Sequence, residues 1–136
     1  MGKRLSVFGI IFLSLFLFSY SCQDHEIPGV PPSLVTLEVS PGAIRCEIAF
    51  NLNVVDTGNM PVTEFGVVIA GFGFLGQASD TPTVGTHTKL VFDPPFSTGN
   101  KKKNSGVCSN QFSYRAYAIL DNGTVIYGNL LSYQDV

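Results

Sequence analysis

A chain of 136 residues with eight basic and ten acidic side chains has room for one domain plus a targeting segment. Its formal charge of −2 lacks the basic surplus that would hold a phosphate backbone, which argues against nucleic acid as a partner. Three cysteines and two histidines leave little from which to build a metal site, and neither a cofactor nor a metal is expected.

The chain opens with Lys3 and Arg4, followed by the apolar run LSVFGIIFLSLFLF over 5–18. A short basic stretch before an apolar run is the pattern of a secretory signal. The run falls short of the roughly 20 apolar residues that a spanning helix needs. Cys22 follows directly, behind Ser19-Tyr20-Ser21. This resembles a bacterial lipobox, which implies cleavage before Cys22, removal of residues 1–21 and acylation of Cys22 as the lipid attachment. Leu is usual where Ser19 stands and Tyr20 is bulky; the other reading is an ordinary signal with an unrelated Cys. Removal of Lys3 and Arg4 leaves six basic and ten acidic residues, a formal −4. Residues 22–33 hold three prolines and read as a semi-rigid tether. Gln23-Asp24-His25-Glu26 is similar to the acidic stretch of surface-exported Bacteroidetes lipoproteins. That likeness implies an outer-membrane protein anchored by lipid, on the cell surface or the periplasmic face.

Residues 34–136 read as one all-β domain. In LVTLEVS (34–40) the alternation puts Val35, Leu37 and Val39 on the core face of a first strand. Residues 44–54 alternate cleanly, with Ile44, Cys46, Ile48, Phe50, Leu52 and Val54 on one side. Further strands are expected at 62–70, 86–92, 112–120 and 124–133, with Asp121-Asn122-Gly123 as a hairpin turn. No helical period is sustained, and short strands with regular turns suggest a sandwich or barrel.

Residues 71–76, GFGFLG, follow a strand and match G-x-G-x-x-G, with Asp93 downstream. A dinucleotide site needs a helix after the glycines. QASDTPTVGTHT follows instead, broken by Pro82 and Gly85, so the match is expected to be chance. Phe72, Phe74 and Leu75 either tuck back onto the sandwich or form an exposed apolar tip for a partner.

Glu64-Phe65-Gly66-Val67-Val68, then Tyr114-Arg115-Ala116-Tyr117-Ala118, Asp121-Asn122-Gly123-Thr124 and Tyr127-Gly128-Asn129 occur in that order. Together they resemble the fibronectin type III-like, or Ig-like, domains of Bacteroidetes lipoproteins. The resemblance implies an antiparallel β-sandwich whose six strands would be A, B, C, E, F and G. Two residues depart from the pattern: Tyr114 stands where Val is usual, a mild change, and Phe112 replaces the Tyr of a tyrosine corner. On this mapping the starts of strands B and F lie together. A Cys46–Cys108 disulfide is then reasonable; two separate thiols are the alternative.

Candidate chemistry is thin. His87 reads as an exposed strand residue, and the acids are scattered through strands and turns. Lys101, Lys102 and Lys103 read as a solvated loop tip, or else as a contact for an anionic glycan or acidic protein. No enzyme activity is expected. The chain reads as a binding or adhesion module working through protein contacts. The alternatives are a glycan-binding accessory protein, for which Trp is missing, and a structural spacer in an envelope assembly.

Overall fold

The computed structural model describes residues 26–106 and 108–135. The expected lipid site Cys22 and His25 lie outside them. The chain forms β1 (Ser33–Pro41), β2 (Ile48–Asp56), β3 (Val62–Gly71), β4 (Thr88–Val91), β5 (Gly99–Ser105), β6 (Gln111–Leu120), β7 (Val125–Tyr127) and β8 (Leu131–Gln134). There is no helix among the described residues. One antiparallel sheet has the order β1-β2-β5, and the other has β4-β3-β6-β7 with β8 also on β6. The two sheets close an all-β sandwich over Phe50, Leu52, Val54, Phe65, Val67, Ile69, Phe112 and Tyr114. These are the alternating positions of β2, β3 and β6, where a period of two sends every second side chain inward.

Strand 86–92 is real but sits elsewhere than expected. β4 pairs with β3 and not with β2, so it does not take the place expected of strand E. The place beside β2 belongs to β5, which contains Lys101, Lys102 and Lys103. The lysines are therefore not a loop tip. Lys101 lies opposite Leu52 and Lys103 opposite Phe50, which turns both toward the inner face at the sandwich edge. Their ammonium groups bend to Ser97 Oγ (2.7 Å) and Asp93 Oδ1 (2.9 Å). Inward-pointing charges on an edge strand block pairing with another chain. That accounts for a strand made of GNKKKNS.

β1 carries the opposite phase to the one expected. Leu34 and Thr36 are buried and Val35 is 37% exposed. The register then slips between Leu37 and Ser40, a β-bulge that brings Val39 against the core. Thr36 is tolerated inside because its polar groups are all used. Its Oγ1 accepts the Ala116 N–H at 2.8 Å, and its own N–H and C=O bond the Asn129 amide at 2.8 and 3.3 Å. At the bulge, Tyr114 Oη accepts the Val39 N–H (3.2 Å) and donates to the Leu37 carbonyl (3.3 Å). The Tyr in place of Val is thus no mild change. Burial pushes its hydroxyl pKa up, against the pull of the Val39 amide.

The expected strand 124–133 is two strands along one edge of β6. β7 pairs with Tyr117–Ile119 and β8 with Gln111–Tyr114. Gly128, Asn129 and Leu130 form the gap between them. A Cβ on Gly128 would lie 2.8 Å from Thr36 Oγ1, so the glycine makes room for the Thr36 and Asn129 contacts. Phe112 is fully buried in an aromatic cluster with Phe50, Phe74 and Tyr133.

The outer face of β3 and β6 is covered by the chain itself. Residues 77–87 form a strap across it: Ser113 Oγ donates to Asp80 O (2.6 Å), Arg115 Nε to Pro82 O (2.7 Å), and Val84 N to Tyr127 Oη (3.0 Å). Arg115 also lies over the Tyr127 ring, 3.6 Å from its centroid. Outward-facing Val68, Ala70 and Tyr117 are consequently fully buried. His87, expected as an exposed strand residue, belongs to this strap. Its Nδ1 accepts the Thr83 N–H at 3.0 Å and its Nε2 lies 3.6 Å from Asp80 Oδ2.

Candidate binding site at one pole of the sandwich

The strands define two poles. The tether reaches β1 at Ser33, which pairs with Asp56 at the end of β2. There Asn59 fastens the incoming chain: its Oδ1 accepts the Val30 N–H (2.6 Å), its Nδ2 donates to Pro28 O (3.1 Å), and its own N–H bonds Val30 O (3.0 Å). The described end of the tether is thus docked against the 56–61 turn. At about 3.3 Å per residue, β1 carries the chain roughly 30 Å to the other pole.

That far pole gathers Pro41, the 42–47 turn, GFGFLG and the segment before β6. Cys46 and Cys108 are joined there by a disulfide, with Cα atoms 4.5 Å apart. The pairing is as expected, but Cys46 is not on the core face of β2. That strand starts only at Ile48; Cys46 sits in the preceding turn, exposed, with φ of 69°. Ile44, expected inside, is 71% exposed. The alternation over 44–47 is overridden because Glu47 folds the turn on itself: its carboxylate accepts the Ala43 N–H at 2.7 Å and the Ile44 N–H at 3.4 Å. The disulfide and the Ser109 hydroxyl, which donates to the Phe72 carbonyl, tie the segment before β6 to the turn before β2 and to the end of β3.

GFGFLG is a turn in which Gly71, Gly73 and Gly76 all adopt positive φ (146°, 83° and 82°). Only glycine takes these angles without penalty. The spacing therefore serves a reversing turn, and no helix N-terminus follows to receive a phosphate. The reversal separates the three apolar side chains. Phe74 turns inward against Phe50 and Phe112, with centroids at 6.5 and 5.6 Å. Phe72 and Leu75 stay outside, 75% and 62% exposed. Phe74 thus drops out as a contact residue. Lys101, Lys102 and Lys103 lie on the edge strand, not in this cluster.

A groove of about 560 Å³ runs beside Phe72. Its walls include Val39, Arg45, the disulfide, Asn110, Tyr133 and Asp135. The volume falls within the range of small-ligand and side-chain pockets. Arg45, Asn110 and Asp135 were not legible as site residues, because nothing local to each one signals that its loop converges with the others. On the outer face of the other sheet, Glu64 Oε1 accepts from Lys89 Nζ (2.7 Å) and Tyr117 Oη (2.8 Å). Those two bonds hold the Glu64 carboxyl below the usual carboxylate range. Burial first, then Glu64, pushes the Tyr117 hydroxyl far up. This trio clamps β3, β4 and β6.

No family model and no curated protein matches the chain. One solved structure, bearing the name ApaA protein and coming from Bordetella pertussis, aligns with a TM-score of 0.41 at 15% identity. The alignment covers 79% of this chain and 98% of that one. A likeness of that degree says nothing about what this chain does.

Proposed function

We propose that this chain is a non-enzymatic lipoprotein, anchored in the outer membrane through Cys22, whose fibronectin type III-like sandwich acts as a binding or adhesion module through protein contacts. The observation that carries this reading is polarity. The tether docks at one end of the sandwich; at the other, Phe72 stands exposed beside a groove and Leu75 is exposed on the same turn. Apolar side chains in that position face away from the anchor and toward whatever approaches the membrane. The split into A-B-E and C′-C-F-G strands supports the resemblance, as the disulfide supports an oxidising compartment.

The test is protease shaving of intact cells followed by blotting, with Cys22→Ala as control. Loss of signal from intact cells, and release of the Cys22→Ala protein from the membrane fraction, are the expected results. Full protection until lysis would overturn the adhesion reading in favour of a role in envelope assembly.

A further inference from the structure

The outer face of the β1-β2-β5 sheet has a composition that the fold does not require. Asn is disfavoured in strands. Yet Asn51 and Asn53 of β2 and Asn100 and Asn104 of β5 all face outward. Asn53 lies directly opposite Asn100, Asn51 opposite Lys102, and Ala49 opposite Asn104. Asn51 has a structural task, since its Nδ2 donates to Glu38 O (2.8 Å) at the bulge. Asn53, Asn100 and Asn104 make no side-chain hydrogen bond to another described residue. The inward turn of Lys101 and Lys103 leaves Lys102 as the one outward-facing lysine of the three. Its neighbours on this face (Asn51, Asn53, Ala49, Asn100 and Asn104) are all uncharged, and it makes no ion pair with a described residue. Val35 lies across from Asn53 and Leu37 across from Asn51, so an aliphatic strip borders the amides.

We infer that this sheet face binds an extended polysaccharide bearing uronate groups. Each free amide offers donors and an acceptor close enough together to meet a vicinal pair of sugar hydroxyls. Side chains two apart on one strand are about 7 Å apart, and neighbouring strands about 4.8 Å, a spacing that lets successive groups address one laid-out chain. Lys102 supplies the charge complementary to a carboxylate at the centre of the array. Val35 and Leu37 suit the apolar C–H face of a pyranose ring. The inference goes beyond the protein-contact reading and needs neither the anchor nor the far pole.

Purified protein titrated calorimetrically with polygalacturonate tests it, with neutral galactan and polyglutamate as comparators. Saturable binding to polygalacturonate is expected, at least fivefold tighter than to galactan or polyglutamate. Asn53→Ala, Asn100→Ala and Asn104→Ala should each weaken it two- to tenfold, and Lys102→Gln about fivefold. Phe72→Ser should leave it unchanged. Asn100, Lys102 and Asn104 are exposed and Asn53 is half-buried on the outer face, and all four variants should retain the wild-type circular dichroism. No binding to polygalacturonate would overturn the inference. Equal binding to polyglutamate would do so too, by showing mere attraction of an acidic polymer to Lys102. So would asparagine variants that bind like wild type.

Discussion

Thr36→Val is the sharpest probe of how the two sheets are joined. The substitution keeps the shape of a side chain that is 2% exposed and removes only its hydroxyl. That hydroxyl is the acceptor for the Ala116 N–H, in the stretch where β6 has lost its neighbour between β7 and β8. The Ala116 carbonyl keeps the Gly128 N–H at 2.9 Å, so a single buried donor is orphaned. Such a group costs about 1–3 kcal/mol, because its desolvation is no longer offset by a bond. At the middle of that range Tm falls by roughly 8–12 °C for a domain of this size. With m of about 1–2 kcal/mol/M, the urea midpoint drops by roughly 1 M or more.

Urea titration with the disulfide intact measures this, and Thr36→Ser serves as the comparison. Serine keeps the oxygen and loses one methyl, so it should cost less than about 1.5 kcal/mol. Valine within about 0.5 kcal/mol of wild type, or serine as damaging as valine, would refute the assignment of Thr36 as a hydrogen-bonded link.

Tyr114→Phe should lower stability by about 1–2 kcal/mol in the same titration, since it strips the bulge of the group that serves Val39 and Leu37. Replacing Cys46 and Cys108 together by Ser opens a link across 62 residues and should cost about 2–4 kcal/mol, with wild type under dithiothreitol matching the double variant. For Glu64 the folded pKa is depressed below 4.5, so its contribution is fully present above that pH and is lost as pH falls through the folded value. Glu64→Gln should therefore flatten the acid limb of a stability–pH curve below about pH 5. Phe72→Ser combined with Leu75→Ser should leave the melting curve within about 0.5 kcal/mol of wild type while abolishing capture of the protein partner in surface cross-linking.

The strands that alternate cleanly were legible: β2 from Ile48, β3 and β6 carry the core, and their pattern announces it. β5 was not, because GNKKKNS contains no apolar residue. Its place is set by the β2 backbone beside it, and its lysines act by pointing inward at an edge. The phase of β1 was misread because Thr36 counts as polar in any periodic reading, whereas the structure buries it by satisfying each of its polar groups from β6 and Asn129. β4 was found but paired wrongly, since alternation names a strand and not its neighbour. The cysteine pair was legible; its position in the turn rather than the strand was not, because Glu47 bonds back to the Ala43 and Ile44 amides. In the site, GFGFLG could not show which aromatic turns in. That depends on the reversal its three positive-φ glycines permit.

The surfaces left open to a partner follow from what the chain already covers. The outer face of the β3–β6 sheet lies under the 77–87 strap. The tether pole is taken by Asn59 and the docked segment around Val30. Among the described residues, the far pole with Phe72 and Leu75 and the amide face of the other sheet lie outside that cover. They adjoin, because Ala49 and Asn104, at one end of the amide face, follow directly on the Pro41–Ile48 pairing that borders the groove. A bulky ligand could span both, yet the chemistry of the two differs enough to separate them. The Phe72/Leu75 double variant alters an apolar contact and leaves every amide in place, whereas the asparagine variants remove polar groups and leave the pole intact. Loss of protein capture in the first set with glycan binding retained, and the converse in the second, would establish two independent surfaces. Loss of both activities in either set would mean one continuous surface and one ligand.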